Sequence, residues 1–391
     1  MRRLAFALCL AAALVAVPAL ARQQDDALQR AFVEAMQRMQ AGNLARAERL
    51  LRDMRKRTDS PRVKLELARV LFLQAKYDEA KALFEEVMTR SDTPWRVRDN
   101  IANFVRLIEE RTGYLKFGAS IVSDSNPRNL TERKEIALGN LRVTPTEAPR
   151  KVTGLRLSAR GWLPAANGFR TAGYLTASYT DYPGQDLDRL TADFGALRDL
   201  TGSGRTRVKA GLEFGTYGGE LLYRFPYVGL DSVLRETKQY RIAGELKAGR
   251  IQFPDFRYLD ATYLSAAASA RKPWSQNTVV SLSTMLERSQ AKERPYSYTG
   301  WNLGPAIDAF WPETTFLAGA RLSLGARRYA AADPLFGKRR SDSKLRLDVS
   351  VGNKRWRWRD RYVSLVASVE RGHSNIEYYS YRKFNVSLVL E

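Results

Sequence analysis

A single histidine, His373, and a single cysteine, Cys9, limit the catalytic chemistry open to this 391-residue chain. Acyl transfer needs a histidine oriented by a second group beside a nucleophile. His373 sits instead beside Ser374 and Asn375 in a predicted loop. Cys9 falls in an apolar leader, which leaves the rest of the chain without disulfides, thiol chemistry or cysteine metal ligands. One histidine cannot supply a zinc set, and no nucleotide-binding motif is present. We therefore expect no enzyme, no catalytic, cofactor-binding or metal residues, and no cofactor. What remains is the chemistry of charge: 64 Lys and Arg against 42 Asp and Glu, a net charge of +22. That balance alone would allow nucleic-acid binding. An export signal makes anionic lipopolysaccharide or protein partners the expectation, and no nucleic acid.

The basic residues recur on alternate positions of strand-like segments. Arg156/Arg160, Arg207/Lys209 and Arg321/Arg327 each share a polar face, opposite apolar sets such as Val208/Ala210/Leu212/Phe214. Lys344–Val351 alternates in the same way, with Leu345, Leu347, Val349 and Val351 on one side. The spacing predicts fourteen strands: 114–123, 135–143, 152–163, 169–181, 187–199, 205–217, 236–250, 257–271, 276–288, 297–310, 314–329, 342–352, 361–371 and 383–391, with 135–143 the weakest. Their lengths suit membrane-spanning strands, and aromatics such as Tyr179, Tyr223, Trp301 and Trp311 gather near their ends. A soluble sandwich must bury its apolar face against a second sheet. Here long segments follow one another as hairpins with Lys or Arg opposite the apolar set, so closure into a lipid-facing barrel with a wet lumen fits better.

With the chain before the barrel and the last strand both periplasmic, the strand count must be even. Fourteen places the loops around Pro334–Gly337 and His373–Asn375 outside the cell. It also leaves a long 218–234 connection on the periplasmic side, where turns are usually short. Either that connection has a role beneath the pore, or 135–143 does not span and the registration upstream shifts.

The N-terminus reads as a removed signal peptide over 1–21: Arg2-Arg3, an apolar core from Leu4 to Val17, and Ala19-Leu20-Ala21 at the cleavage site. From 22 to 112 the period is helical. Gly42-Asn43-Leu44-Ala45-Arg46-Ala47 returns 33 residues later as Ala75-Lys76-Tyr77-Asp78-Glu79-Ala80, and Ser60-Pro61 as Thr93-Pro94. This resembles the tetratricopeptide pattern, whose helix pairs stack around a concave groove. Two pairs and a final helix from Trp95 give five helices. The module either binds a protein client in the periplasm or merely orients or plugs the barrel. The fold expected is thus a short periplasmic tetratricopeptide-like α domain followed by an antiparallel outer-membrane β-barrel over 113–391.

Beyond the lumenal bases, the candidate functional residues lie in loops. Asp124 and Asn126 follow the first strand; Asp333, Phe336, Lys338, Arg339 and Arg340 form a basic loop over 330–342; Asn375 lies in the last loop. Asp and Asn at such places also bend loops through side-chain hydrogen bonds, and lumenal charge is commonly simple solvation. The loop 330–342 is expected to fold over the pore or to contact anionic headgroups.

Several strings resemble the surface lipoprotein assembly modulator (Slam) family, the outer-membrane part of the type XI secretion system. They are Ser123-Asp124-Ser125-Asn126-Pro127, Tyr329 with Asp333–Asp342, and Ser374-Asn375-Ile376 with Tyr379-Ser380-Tyr381. The resemblance covers nearly the whole chain after the leader. It implies a periplasmic tetratricopeptide domain joined to a fourteen-stranded barrel that helps a secreted or lipidated client protein reach the cell surface. Two departures stand out: the helical part is short beside the longer family form, and the chain closes on Leu388-Val389-Leu390-Glu391 rather than on an aromatic. The implied partners are that client, outer-membrane lipids and lipopolysaccharide, and the outer-membrane assembly machinery, with the barrel a monomer. A passive porin-type channel with a helical module and a general outer-membrane assembly factor remain alternatives.

Overall fold

The computed structural model describes residues 27–390, apart from 91, 139–140, 166–169, 203, 238 and 359–360. The expected signal peptide lies outside the described residues. The chain divides into two compact units, one running to Thr93 with Val97–Ile108, the other comprising Pro94–Arg96 and Glu109–Glu391.

Among the described residues five α-helices come first: α1 (27–40), α2 (Leu44–Arg57), α3 (Pro61–Leu73), α4 (Tyr77–Thr89) and α5 (Trp95–Thr112). The 33-residue repeat explains where they start. Gly42 and Ala75 both take left-handed φ, 75° and 59°, and turn the chain into α2 and α4. Asn43 then caps α2, its side-chain oxygen accepting from the Arg46 amide at 3.2 Å. Ala47 and Ala80 are fully buried, so the helices can approach closely around Leu51, Leu67, Leu71 and Phe84. Phe84 stacks on Phe104 of α5 at 5.0 Å. Charge ties the repeats together as well. Lys76 Nζ lies 2.8 Å from Glu48, and Lys64 Nζ 2.7 Å from Glu86. Among the described residues no helix is long and apolar enough to cross a membrane, which says nothing of strands.

The second unit is a closed antiparallel barrel of fourteen strands. They are β1 (Tyr114–Asp124), β4 (Val152–Pro164), β5 (Thr171–Asp181), β6 (Arg189–Asp199), β7 (Thr206–Tyr217), β8 (Glu220–Glu236), β9 (Arg241–Ile251), β10 (Ala261–Pro273), β11 (Thr278–Ala291), β12 (Tyr298–Trp311), β13 (Phe316–Ala332), β14 (Arg339–Trp358), β15 (Arg361–Ser374) and β16 (Tyr381–Leu390). Each pairs with its successor in the wall, and β1 closes the ring on β16 through Ala119↔Leu390 to Asp124↔Asn385. Closure leaves no exposed edge.

The strand number agrees with the sequence expectation, but two assignments change. Residues 135–143 do not span: β2 (Ile136–Leu138) and β3 (Leu141–Val143) pair only with each other, and three residues are far short of the ~9–11 needed. The supposed 218–234 connection is instead barrel strand β8. Its alternation was masked by Leu221-Leu222 and Pro226. The structure absorbs the first with a register shift opposite Gly215/Thr216 and sets Pro226 against Leu212, at the loss of one ladder donor. The strands between therefore run opposite to the expected direction, and Gly218-Gly219 becomes a tight hairpin.

The long connection 125–151 and the loops 182–188, 252–260, 292–297, 333–338 and 375–380 share one end of the barrel, called the loop end below. The outward face is apolar and exposed along its length: Phe117 is 61% accessible, Val228 58%, Leu264 53% and Leu286 61%. Water tolerates no such continuous patch. A bilayer core requires it.

Candidate functional site

Alternation that puts leucines outside puts charge and tyrosine inside. On β11 to β13, Glu287 pairs in register with Gly300 and Gly300 with Arg327. The glycine lets its two neighbours meet above it, because a Cβ there would lie 2.8 Å from Glu287 Oε1. Arg327 Nε donates to that oxygen at 2.7 Å, Tyr263 donates to the other at 3.1 Å, and the guanidinium lies over the Tyr298 ring at 4.6 Å. Next along the wall, Glu370 accepts from Tyr381 at 2.6 Å and pairs with Lys344 at 2.9 Å and Arg346 at 3.3 Å. Arg346 also holds Asp348 at 2.7 Å.

The loop end caps this wall. Asp333 is buried and accepts from the Leu335 and Phe336 amides at 2.9 and 3.1 Å and from Tyr379 at 2.8 Å. These bonds join loop 333–338 to loop 375–380. Phe336 packs on Tyr378 and Tyr379 at 5.7 and 5.9 Å. Arg340 lies 3.5 Å over the Tyr379 ring and 4.8 Å over Tyr329, with Asp342 at 2.8 Å. Burial, and then the Asp333 carboxylate, push the Tyr379 hydroxyl well above its ordinary value of 10.0, so it stays a donor. Arg339 hydrogen-bonds the Tyr329 carbonyl, and Asn375 fastens both sides of Arg340: it accepts from the Ser341 amide at 2.7 Å and donates to the Arg339 carbonyl at 2.8 Å. Lys338 is exposed, and its carbonyl accepts from the Asp333 amide at 2.9 Å.

Asp124 and Asn126 organise the start of the long loop. Asp124 pairs with Lys383 at 2.8 Å and accepts from the Asn126 amide at 2.9 Å. Asn126 is 1% accessible; it bonds Leu130 in both directions at 2.8 Å and donates to the Arg382 carbonyl at 3.1 Å. This is the loop-bending chemistry open to Asx residues, used across β1 and β16. Arg128 in that turn and Glu147 further along the connection line a cavity of about 1000 Å³ together with Arg327, Arg340, Lys344 and Tyr379.

The structure thus brings Arg327, Asp333, Phe336, Arg340 and Asn375 to one end of the lumen. Other candidates lie elsewhere. Lys209 faces Asp231 at 3.1 Å and Glu245 at 2.7 Å on β7 to β9. Arg207 pairs with Glu110 at 2.8 Å, and Arg156 donates to Thr180 at 3.0 Å. Arg160 is exposed on the lumenal side of β4, and Arg321 lines a smaller cavity of about 300 Å³ with Asp308 and Asp348. Sequence reasoning did not select Glu287, Lys344, Arg346, Glu370 or Arg128 as site residues. The first four sit on the polar face of predicted strands, so alternation placed them in the lumen; which acids meet which bases depends on register. Among the described residues no group of three or more His, Cys, Asp or Glu could hold a metal.

A tetratricopeptide-repeat model matches residues 38–92. The family model described as surface lipoprotein assembly modifier matches residues 114–391. The curated proteins give no match. Among solved structures, a bacterial polysaccharide outer membrane secretin is 11% identical with a TM-score of 0.36, covering 70% of this chain and 98% of its own. A loop-deletion mutant of OmpT, an outer membrane protein of Vibrio cholerae, is 8% identical with a TM-score of 0.38, covering 71% and 99%. CdiB from Acinetobacter baumannii is 9% identical with a TM-score of 0.38, covering 71% and 60%.

Proposed function

The chain belongs to the surface lipoprotein assembly modifier family, and from that premise we propose that it carries a specific client protein, a surface lipoprotein or a soluble haemophore-like protein, across the outer membrane. The barrel lies in that membrane. In this reading residues 1–21 are removed on export, 22–112 stand in the periplasm and recruit the client, and 113–391 form the route. The loop end faces outwards, since long loops of such barrels are extracellular and short turns periplasmic.

The observation that carries the proposal is the wall of the loop-end cavity. Its cations are held by neighbouring carboxylates and stacked on tyrosines, as Arg327 is on Glu287 and Tyr298 and Arg340 on Asp342 and Tyr379. Paired charge and aromatic faces can exchange partners with a passing polypeptide at small cost, whereas a bare basic lumen would trap acidic segments. No energy source is expected on this side, so net movement follows from folding or binding of the client outside. Insertion needs the outer-membrane assembly machinery, and the barrel works as a monomer among outer-membrane lipids and lipopolysaccharide.

Planar-bilayer recordings of the purified chain test the route. A low resting conductance that changes on adding an unfolded client, and not an unrelated protein, is expected. Steady conductance of small solutes, indifferent to client, would replace this reading with a passive porin-type channel. Loss of many unrelated barrels on deleting the gene would point to a general assembly factor.

A further inference from the structure

The outward face of the barrel carries a row of arginines at the loop end. Arg224 on β8, Arg250 on β9, Arg288 on β11, Arg328 on β13, Arg371 on β15 and Arg382 on β16 are all exposed. Their direction follows from the period of two. Arg224 shares a face with Val228, Arg250 with Leu246, Arg288 with Leu286, Arg371 with Val369 and Arg382 with Phe384, all exposed on the lipid side. Arg328 stands two residues beyond Ala326, the register partner of outward-facing Trp301.

Register also holds them near one height. Arg371 and Arg382 are direct partners across β15 and β16. Arg288, Thr299 and Arg328 form one line across β11, β12 and β13. Strands lie ~4.8 Å apart, so Arg288 and Arg328 start roughly 10 Å from each other, over the same apolar layer. At the opposite end of the barrel the outward positions include Leu234, Trp311, Phe316 and Leu390, with Arg198, Arg235 and Lys272 as cations, half the number at the loop end. A rim that served only solvation would carry both signs and would look alike at both ends.

These charges have little internal compensation. Gln252 holds Arg224 at 2.8 Å, and Glu132 approaches Arg382 at 3.9 Å. Among the described residues, Arg250, Arg288, Arg328 and Arg371 form no ion pair. The outward strand acid at this end, Asp181 on β5, lies outside the arc from β9 to β16. The choice of residue matters too. All six are arginine, whose planar fork takes two phosphate oxygens at once and is less strongly hydrated than an ammonium group.

We propose that Arg250, Arg288, Arg328 and Arg371 form a docking surface for the phosphorylated sugar headgroup of an outer-leaflet glycolipid. The acyl chains would lie against the apolar layer below, along Leu246, Leu286 and Trp301, and the phosphates would meet the guanidinium row. The site lies on the outside of the wall, separate from the lumenal cavity. It rests on the orientation proposed above, in which the loop end faces outwards.

Native mass spectrometry of the full chain in mild detergent tests the surface, with bisphosphorylated lipid A and phosphatidylglycerol as probes. The wild type is expected to retain lipid A preferentially. At roughly fivefold per basic residue near a charged lipid surface, Arg288→Gln/Arg328→Gln/Arg371→Gln should weaken retention on the order of 100-fold. Arg198→Gln/Lys272→Gln, outward-facing at the other end, should change nothing. Arg288→Lys/Arg328→Lys/Arg371→Lys keeps the charge and guards against a variant that does not fold; it should bind at an intermediate level. Equal retention by the glutamine variant, full retention by the lysine variant, or equal retention of phosphatidylglycerol by the wild type would each overturn the proposal. Client display measured on cells carrying the same variants separates the two readings. A chain that fails to display client but retains lipid A contradicts the transport reading and leaves this surface standing.

Discussion

Asp333 shows what single side chains contribute at the loop end. Its carboxylate joins two loops by accepting from two amides and from Tyr379. Asp333→Ala leaves buried donors unsatisfied, a cost of about 1–3 kcal/mol. Hydrogen exchange over 333–341 and 375–381 should therefore quicken at least tenfold while the strands stay protected; unchanged exchange would show that the bonds do not hold the loops. In the helical unit, burial pushes the Glu48 carboxyl up, but hydrogen bonds from Lys76 and Arg52 outweigh it and hold the group below its ordinary 4.5. A depressed carboxylate stabilises the fold above its ordinary value, and that contribution disappears as pH falls through the lower folded value. Helical ellipticity at 222 nm should thus melt earlier below pH 4.5 in the wild type, and Glu48→Gln should flatten the dependence. Asp333 and Arg340 were legible as candidates from loop length and charge. Their partner Tyr379, 46 residues from Asp333, has no periodic relation to it, so its place in the cluster needed the fold.

At the scale of elements, alternation did most of the work. It separates Leu286, outward and exposed, from Met285, which lines the cavity. Leu282→Arg, deeper on the same outward face than Leu286, should cost about 2–4 kcal/mol in urea titrations of liposome-folded protein, the price of a charge at the bilayer midplane, whereas Met285→Arg should cost under about 1 kcal/mol. Similar losses for both would mean that the faces are misassigned. The period failed in two places for identifiable reasons. Residues 135–143 carry apolar residues at suitable spacing but form only the short pair β2 and β3. Residues 220–236 form a full strand whose two adjacent leucines and proline hide the period, and a register shift supplies what the pattern lacks. An epitope inserted between Gly218 and Gly219 should be reached by antibody on intact cells, because that hairpin lies at the loop end. One inserted at 313–314 should be reached only after permeabilisation. A tag at 218–219 that is also reached only after permeabilisation would restore the periplasmic connection first expected from the sequence.

Across the whole molecule, the mismatch between a net charge of +22 and a membrane address resolves into separate surfaces. Cations inside the barrel stand against carboxylates, the outward face is apolar, and the helical unit carries its own ion pairs. The fold class was readable because a period of two and a period of 3.6 leave different marks on a sequence. The client was not, because recognition depends on surfaces whose chemistry no spacing rule encodes. The most direct test of the account is surface display of a lipoprotein client on intact cells, scored by protease accessibility. It would compare the full chain with a form lacking 22–108 whose barrel still shows heat-modifiable gel mobility. The account predicts display with the full chain and a client left protected inside when the helical unit is gone. Equal display by both would contradict recruitment by the helices, and equal display in cells lacking the protein altogether would contradict the transport role itself.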